Sequence, residues 1–250
     1  MWTHLVFLLF VALAVYAQSL TGFALALILL GLISATDLVP LTDAVNAVTV
    51  MVFVNACTFL YQRFPPHFER WLWPGVVSSL LGAAVGTLLL TWLAGTFYQV
   101  VKLLLGISII GSAFLLWRAA KPLEKASSRP AFVLTGAISG LLGGMFSAPG
   151  PPLVYLMYRQ PWTPEKIQES LIFFFGAGAL LRLLIVVPTD GFSLQATQLA
   201  AEAVPVVFLV TAFAAGRSSP LSPPLLKLLV CLLLVATGGG TVGGALSAMR

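Results

Sequence analysis

Six stretches of about twenty apolar residues constrain this chain more than any other feature of it. They run near 41–60, 71–93, 98–117, 167–187, 199–215 and 225–246, each bounded by charge, proline or a polar turn. A helix needs about 20 apolar residues to cross a bilayer. Charged residues make up only 8% of the chain, against about 25% in a soluble domain. Such a surface cannot face water, so the chain is read as an all-α integral membrane protein, multi-pass in the cell (inner) membrane.

The formal net charge of +5 does not point to nucleic acid, because no basic stripe carries interleaved aromatics. Cys57 and Cys231 lie within apolar runs and read as small buried hydrophobes. The two histidines, His4 and His67, sit near segment ends. No cofactor or metal is therefore expected. Nor is an enzyme: the chain lacks a His-Glu-x-x-His zinc motif, a phosphate loop of the Gly-x-x-x-x-Gly-Lys-Ser/Thr type, and a histidine placed to serve a nucleophilic serine. The first residues imitate a signal peptide but lack its basic start, and are read as part of the mature protein.

Two further segments differ from the six spans. Residues 2–34 are too long for one straight span and contain "QSLTGF"; residues 131–158 contain "SGLLGGMFSAPGPPLVYLMY". Each precedes three spans, which gives two repeats of an interrupted segment plus three transmembrane helices, about eight apolar segments in all. The halves are 1–118 and 131–250, joined by a basic cytoplasmic linker at 119–130. At an offset of half the chain, Lys102 falls on Lys227 and Gly22 near Ser147; with a small shift, Pro74 meets Pro205 and Gly86 meets Gly216.

Basic loops set orientation. The linker carries Arg118, Lys121, Lys125 and Arg129, and the loop after the first full span carries Arg63 and Arg70. Asp37 and Asp43 flank a loop without Lys or Arg. Arg159, Lys166 and Arg217 reach the same side as the linker only if 131–158 enters and returns on one side. That favours re-entrant or broken hairpins and inverted repeats, over eight full spans with parallel repeats.

Glycine and proline are the poorest helix formers, and the second hairpin holds Gly140, Gly143, Gly144, Pro149, Gly150, Pro151 and Pro152. Backbone groups freed by a break cost several kcal/mol if left unpaired in hydrocarbon. They are tolerated when buried in protein or lining a watery cavity. Half-helix N-termini would then offer bare N–H donors and a positive dipole end to an anion near the midplane, at Gly22 and at 147–152. The glycines at 82, 86, 140, 143 and 144 are explained equally by close helix packing.

The run "GAISGLLGGMFSAPGPPLVYLM" resembles the second-repeat motif of the TauE/SafE family, the sulfite exporter-like membrane proteins, and "AQSLTGFALALILLG" resembles its first-repeat counterpart. Ser147 and Pro149 stand where that family usually has glycines, and Gly31 replaces a proline. The resemblance covers nearly the whole chain. It implies a secondary transporter, an exporter of small sulfur-containing or organic anions such as sulfite or organosulfonates, with alternating access at a site between the repeats. The alternatives are a passive anion channel of the same fold and a membrane assembly subunit without transport. The implied partners are a small anionic substrate, the lipid bilayer, a proton or sodium ion as coupling ion, and a second copy in a homodimer.

The candidate substrate-binding residues are Gln18, Thr21, Gly22, Asn46, Thr49, Ser147, Ala148, Gly150 and Arg182. Arg182 lies inside a span, where an ionisable residue reads as functional by default; its planar fork suits sulfonate or carboxylate oxygens. Snorkelling toward Pro188 is the other reading. Asn46 and Thr49 share a face of the first full span, which is expected to turn toward the first hairpin, and Asn55 follows on that span. Gln18, Ser19 and Thr21 flank the first break, where they could meet a ligand or cap freed carbonyls. Gln168 and Ser170 hold corresponding ground. Asp43 and Glu169 read as solvated loop-edge charge, Lys102 and Lys227 as interfacial anchors, and Trp71, Trp73, Trp92, Trp117 and Tyr98 as an aromatic belt.

Overall fold

The computed structural model describes residues 2–36, 38–64, 69, 72–118, 122–148, 150–189, 191–214 and 222–249. Asp37, His67, Arg70, Trp71, Lys121, Pro149, Gly216 and Arg217 lie outside the described residues. Among the described residues ten α-helices follow one another: α1 (Trp2–Thr21), α2 (Leu25–Thr36), α3 (Leu41–Gln62), α4 (Trp73–Thr96), α5 (Tyr98–Arg118), α6 (Arg129–Phe146), α7 (Pro151–Tyr158), α8 (Pro164–Val186), α9 (Leu194–Ala214) and α10 (Pro223–Ala248). No strand occurs among the described residues. Eight of the helices are long and apolar enough to cross a membrane; α2 and α7 are shorter. The outward surfaces of α4, α5 and α9 carry exposed Leu81, Leu88, Ile107, Phe114, Leu209 and Phe213, the face a lipid-bathed helix presents.

Local chemistry explains where the helices stop. Gly22 has φ 79°, and Ala24 follows at φ 98°, which ends α1 and restarts the chain as α2. Ser147 ends α6 at φ 52°, a left-handed conformation that a non-glycine residue rarely adopts. Gly22 and Ser147, matched at the half-chain offset, thus share a positive φ. Pro151 and Pro152 occupy the first turn of α7, where their fixed φ suits a helix start and no N–H is missed. The matching of Pro74 with Pro205 does not survive: Pro74 is in the first turn of α4, whereas Pro205 lies inside α9. Proline is placed wherever a helix can lose one donor, so it is a poor repeat marker.

The direction of each helix follows from which residues meet. Gln160 Nε2 donates to Ser127 Oγ at 2.8 Å, and the Leu123 N–H donates to Arg159 O at 2.7 Å. The start of α6 and the end of α7 therefore lie together at the linker end, and the segment enters and returns there. The first segment does the same at the opposite end. Helix α9 runs parallel to α3, since Ser193 just before α9 meets Asp43 and Thr211 meets Asn55. Helix α1 runs parallel to α9, with His4 at Glu202 and Tyr16 beside Phe213. Helix α2 then ends at Thr36, close before the start of α3.

Helices α3 and α8 run antiparallel, as Ala56 packs on Gly176 while Asn46 and Thr49 meet Arg182. So do α5 and α10, where Gly106 packs on Val242 and Lys227 Nζ donates to Trp117 O at 3.2 Å. The packing pairs include α4 with α6 and α1 with α9, α3 with α9 and α4 with α8, α5 with α7 and α2 with α10. Exchanging the halves turns each of these pairs into its neighbour in the list.

The α4–α6 contact accounts for the glycines spaced along those two helices. A Cβ on Gly136, Gly140 or Gly144 would collide with the carbonyl oxygen of Gly75, Ser79 or Ala83, and one on Gly82 or Gly86 with that of Ala137 or Leu141. Backbones this close gain dispersion that lipid cannot match. Two expectations fail here. Cys57 is exposed on α3 rather than buried, because it falls on an outer face. Glu169 is buried at 4% exposure, because α8 enters the bundle one turn after its start. Lys102 is also buried, its ammonium 5.7 Å from the centre of the Tyr98 ring. Trp73, Trp92 and Trp117 are exposed near helix ends, as a belt requires.

Candidate functional site

The second break is closed by its own hairpin. Ser139, two turns before the end of α6, accepts from the Leu153 N–H at 2.9 Å and donates to Gly150 O at 3.1 Å through its hydroxyl. The Gly150 N–H donates to Ser139 O at 3.2 Å. Pro151 and Pro152 have no N–H to offer. The expected bare donors at this break are therefore not found at Gly150 or Leu153: both are paired, because an unpaired buried N–H costs more than a serine in the facing helix. Gly150 packs against Leu142 and Ser139, so its role in the described geometry is to let the hairpin close.

The first break is also bound internally. Gln18 holds it: Gln18 O accepts from the Gly22 N–H at 2.6 Å and Gln18 Oε1 from the Leu25 N–H at 3.0 Å. The Thr21 hydroxyl lies 2.7 Å from Ala17 O and 2.8 Å from Phe23 O, capping freed carbonyls. Tyr158 at the end of α7 donates its hydroxyl to Thr21 O at 2.6 Å, and Gln168 donates its amide to Ser19 O. Gly22 sits against Gln168, where a Cβ would meet the α8 backbone. Beside this break runs a neutral relay: Gln18 Nε2 to Asn55 Oδ1 at 2.6 Å, and Asn55 Nδ2 to Thr211 Oγ1 at 2.8 Å.

The charged part of the site lies at the second tip. Arg182 is 3% exposed, so it does not snorkel. Its Nε donates to Gly144 O at 2.9 Å; its Nη1 donates to Asn46 Oδ1 at 2.9 Å and to Thr49 Oγ1 at 2.8 Å. The Thr49 and Ser147 hydroxyl oxygens are 2.5 Å apart. Asn46 and Thr49 therefore face the second hairpin, not the first, because α3 crosses α8 and receives the tip of α6 there. Among the described residues, every partner of this guanidinium is a neutral oxygen. A buried cation without a carboxylate carries a desolvation penalty of several kcal/mol that an anion would offset.

The two tips converge on a cavity lined by Gln18, Phe23, Ala24, Leu27, Ser147, Ala148 and Phe175, of about 10 Å³. A neighbouring cavity of about 10 Å³ shares Ser147 and Phe175 and adds Ser79, Ser139, Gly143 and Gly178. Each has room for about one water. Of the nine candidate residues, the fold thus gathers Asn46, Thr49, Ser147 and Arg182 in one cluster, with Gln18 and Ala148 on the adjoining cavity. Thr21, Gly22 and Gly150 hold the breaks together. Ser139 and Thr211 were not foreseen. Ser139 has one usable signal, a lone hydroxyl within a glycine run two turns before the break.

The fold and this cluster define a class: a multi-pass helical membrane protein with two interrupted hairpins and a buried arginine at the tip of the second. The profile of the family described as Sulfite exporter TauE/SafE matches residues 7–241, and the chain belongs to that family. It is 30% identical over 237 residues to a Cupriavidus necator (strain ATCC 17699 / H16) protein named "Probable sulfite/organosulfonate exporter TauE", covering 93% of this chain and 91% of that protein. No solved structure matches the chain.

Proposed function

We propose that the chain is a secondary transporter of the inner membrane that exports small sulfur-containing or organic anions, sulfite or organosulfonates. The observation that carries this reading is Arg182, buried at the tip of the second hairpin with only neutral oxygens around its guanidinium. A sulfonate or sulfite oxygen pair fits its planar fork, and the Ser147 hydroxyl, paired with Thr49 Oγ1, stands beside the Thr49 that accepts from it. The family and the named relative support the same substrate class.

Alternating access between two inverted repeats is the mechanism we infer. Helices that exchange under the repeat, α3 with α8 and α5 with α10, pack antiparallel, which favours a pseudo-two-fold axis across the helices. Arg63, Arg118, Lys125, Arg129, Arg159 and Lys166 share the linker end, which supports the reading of that end as cytoplasmic. Export is driven by an ion gradient, of protons or sodium.

The test is flux from proteoliposomes loaded with sulfite or sulfoacetate. Saturable export that accumulates anion against its gradient, when a proton or sodium gradient is imposed, supports the carrier. Flux that never saturates would instead identify a channel. No flux of either anion would sink the transport reading.

A further inference from the structure

Asn46 does more than hold the arginine. Its Oδ1 accepts from Arg182 Nη1 at 2.9 Å, while its Nδ2 donates to Gly191 O at 2.8 Å. Gly191 belongs to the connection between α8 and α9, at the end of the bundle remote from the linker. Three residues earlier on α3, Asp43 accepts from Ser193 Oγ at 2.6 Å. The first two turns of α3 thus tie that connection down twice, and only the Asn46 tie also touches the anion-binding cation.

We infer that Asn46 is the positioning residue that couples occupancy of Arg182 to opening of the α8–α9 connection. This rests on the reading of Arg182 as the anion-binding cation. A hydrogen bond from a charged donor contributes roughly 1.5–3 kcal/mol, a neutral one roughly 0.5–1.5 kcal/mol. With no anion, the guanidinium fixes Oδ1, and the planar amide therefore aims Nδ2 at Gly191 O. An arriving oxyanion competes for Nη1 as a charged acceptor, which a neutral amide oxygen cannot match. Asn46 then loses its charged anchor, its amide turns freely, and Gly191 is held by nothing from the site. The opposite end has a tie of different chemistry: Lys166, in the first turn of α8, pairs with Glu69 between α3 and α4. That pair does not touch Arg182, so occupancy loosens one end selectively.

Hydrogen–deuterium exchange of the full chain in nanodiscs, read on peptides covering 187–197, tests the coupling with sulfoacetate as the probe. In the unsubstituted protein, sulfoacetate should speed exchange of this connection. Asn46→Ala should exchange roughly two- to tenfold faster without ligand, the equivalent of one lost neutral hydrogen bond. Once saturated with sulfoacetate, as read by thermal stabilisation, it should show no further rise. Ser193→Ala removes the other tie; it should raise the ligand-free rate and keep the ligand response. A sulfoacetate response that survives in Asn46→Ala overturns the coupling and leaves the anion reading standing. If sulfoacetate and sulfite neither bind nor alter exchange in the unsubstituted protein, the anion reading fails and the coupling with it, even where Asn46→Ala still speeds the connection.

Discussion

Replacing Arg182 by Gln removes the one buried charge at the second tip and leaves the Ser139–Gly150–Leu153 frame of the hairpin untouched. An oxyanion bonded to the guanidinium places its charge about 4 Å from the cation. At the effective dielectric of about 20 that suits protein sites, the attraction is about 4 kcal/mol, or about a thousandfold in Kd. Arg182→Lys keeps the charge but not the fork that now reaches Gly144 O, Asn46 Oδ1 and Thr49 Oγ1 together. It should lose only the geometric share, about 1–2 kcal/mol, or about five- to thirtyfold. Calorimetric titration of sulfoacetate into the nanodisc-embedded protein and both variants reads these values directly. The decisive pattern is graded, with Lys between the native residue and Gln. A loss below tenfold in Arg182→Gln would refute the assignment of the anion's charge to this residue. Equal losses in both variants would refute the Coulomb argument and leave shape as the basis of recognition.

Three other substitutions test the frame around the site. Ser139→Ala leaves the Leu153 N–H and Gly150 O without their side-chain partner in a buried hairpin, and should lower stability by about 2–4 kcal/mol, read as thermal unfolding in detergent. Gly140→Leu drives a side chain into the Ser79 backbone and should cost about 3 kcal/mol or more, whereas Gly95→Leu on α4, with open space around its Cβ, should be near neutral in the same assay. Tyr158→Phe strips the donor from Thr21 O, at 2.6 Å. It should cost about 1–3 kcal/mol and slow export more than it weakens anion binding, seen as a lower maximal flux at little-changed half-saturation.

Membrane residence, the six full spans and the two interrupted segments were legible without coordinates, because hydrocarbon thickness and backbone pairing act on composition and length alone. Loop charge led to the expectation that Arg159 lies by the linker, where the Leu123 N–H donates to its carbonyl oxygen. Arg182 was legible too, conspicuous within an apolar run. The partners of these residues were not. Periodicity places Asn46 and Thr49 on one face of α3, but which hairpin that face meets depends on how α3 crosses α8, 136 residues away in the case of Asn46 and Arg182. The breaks invited an account in which bare N–H groups wait for an anion. Docking of α7 on α6 instead gave the Gly150 and Leu153 donors to Ser139. Local chemistry decides where a chain must break, because each residue carries its own φ preference and its own donor. What the broken ends then face is decided by tertiary packing, because hydrogen bonds between distant helices exist only after the helices have docked.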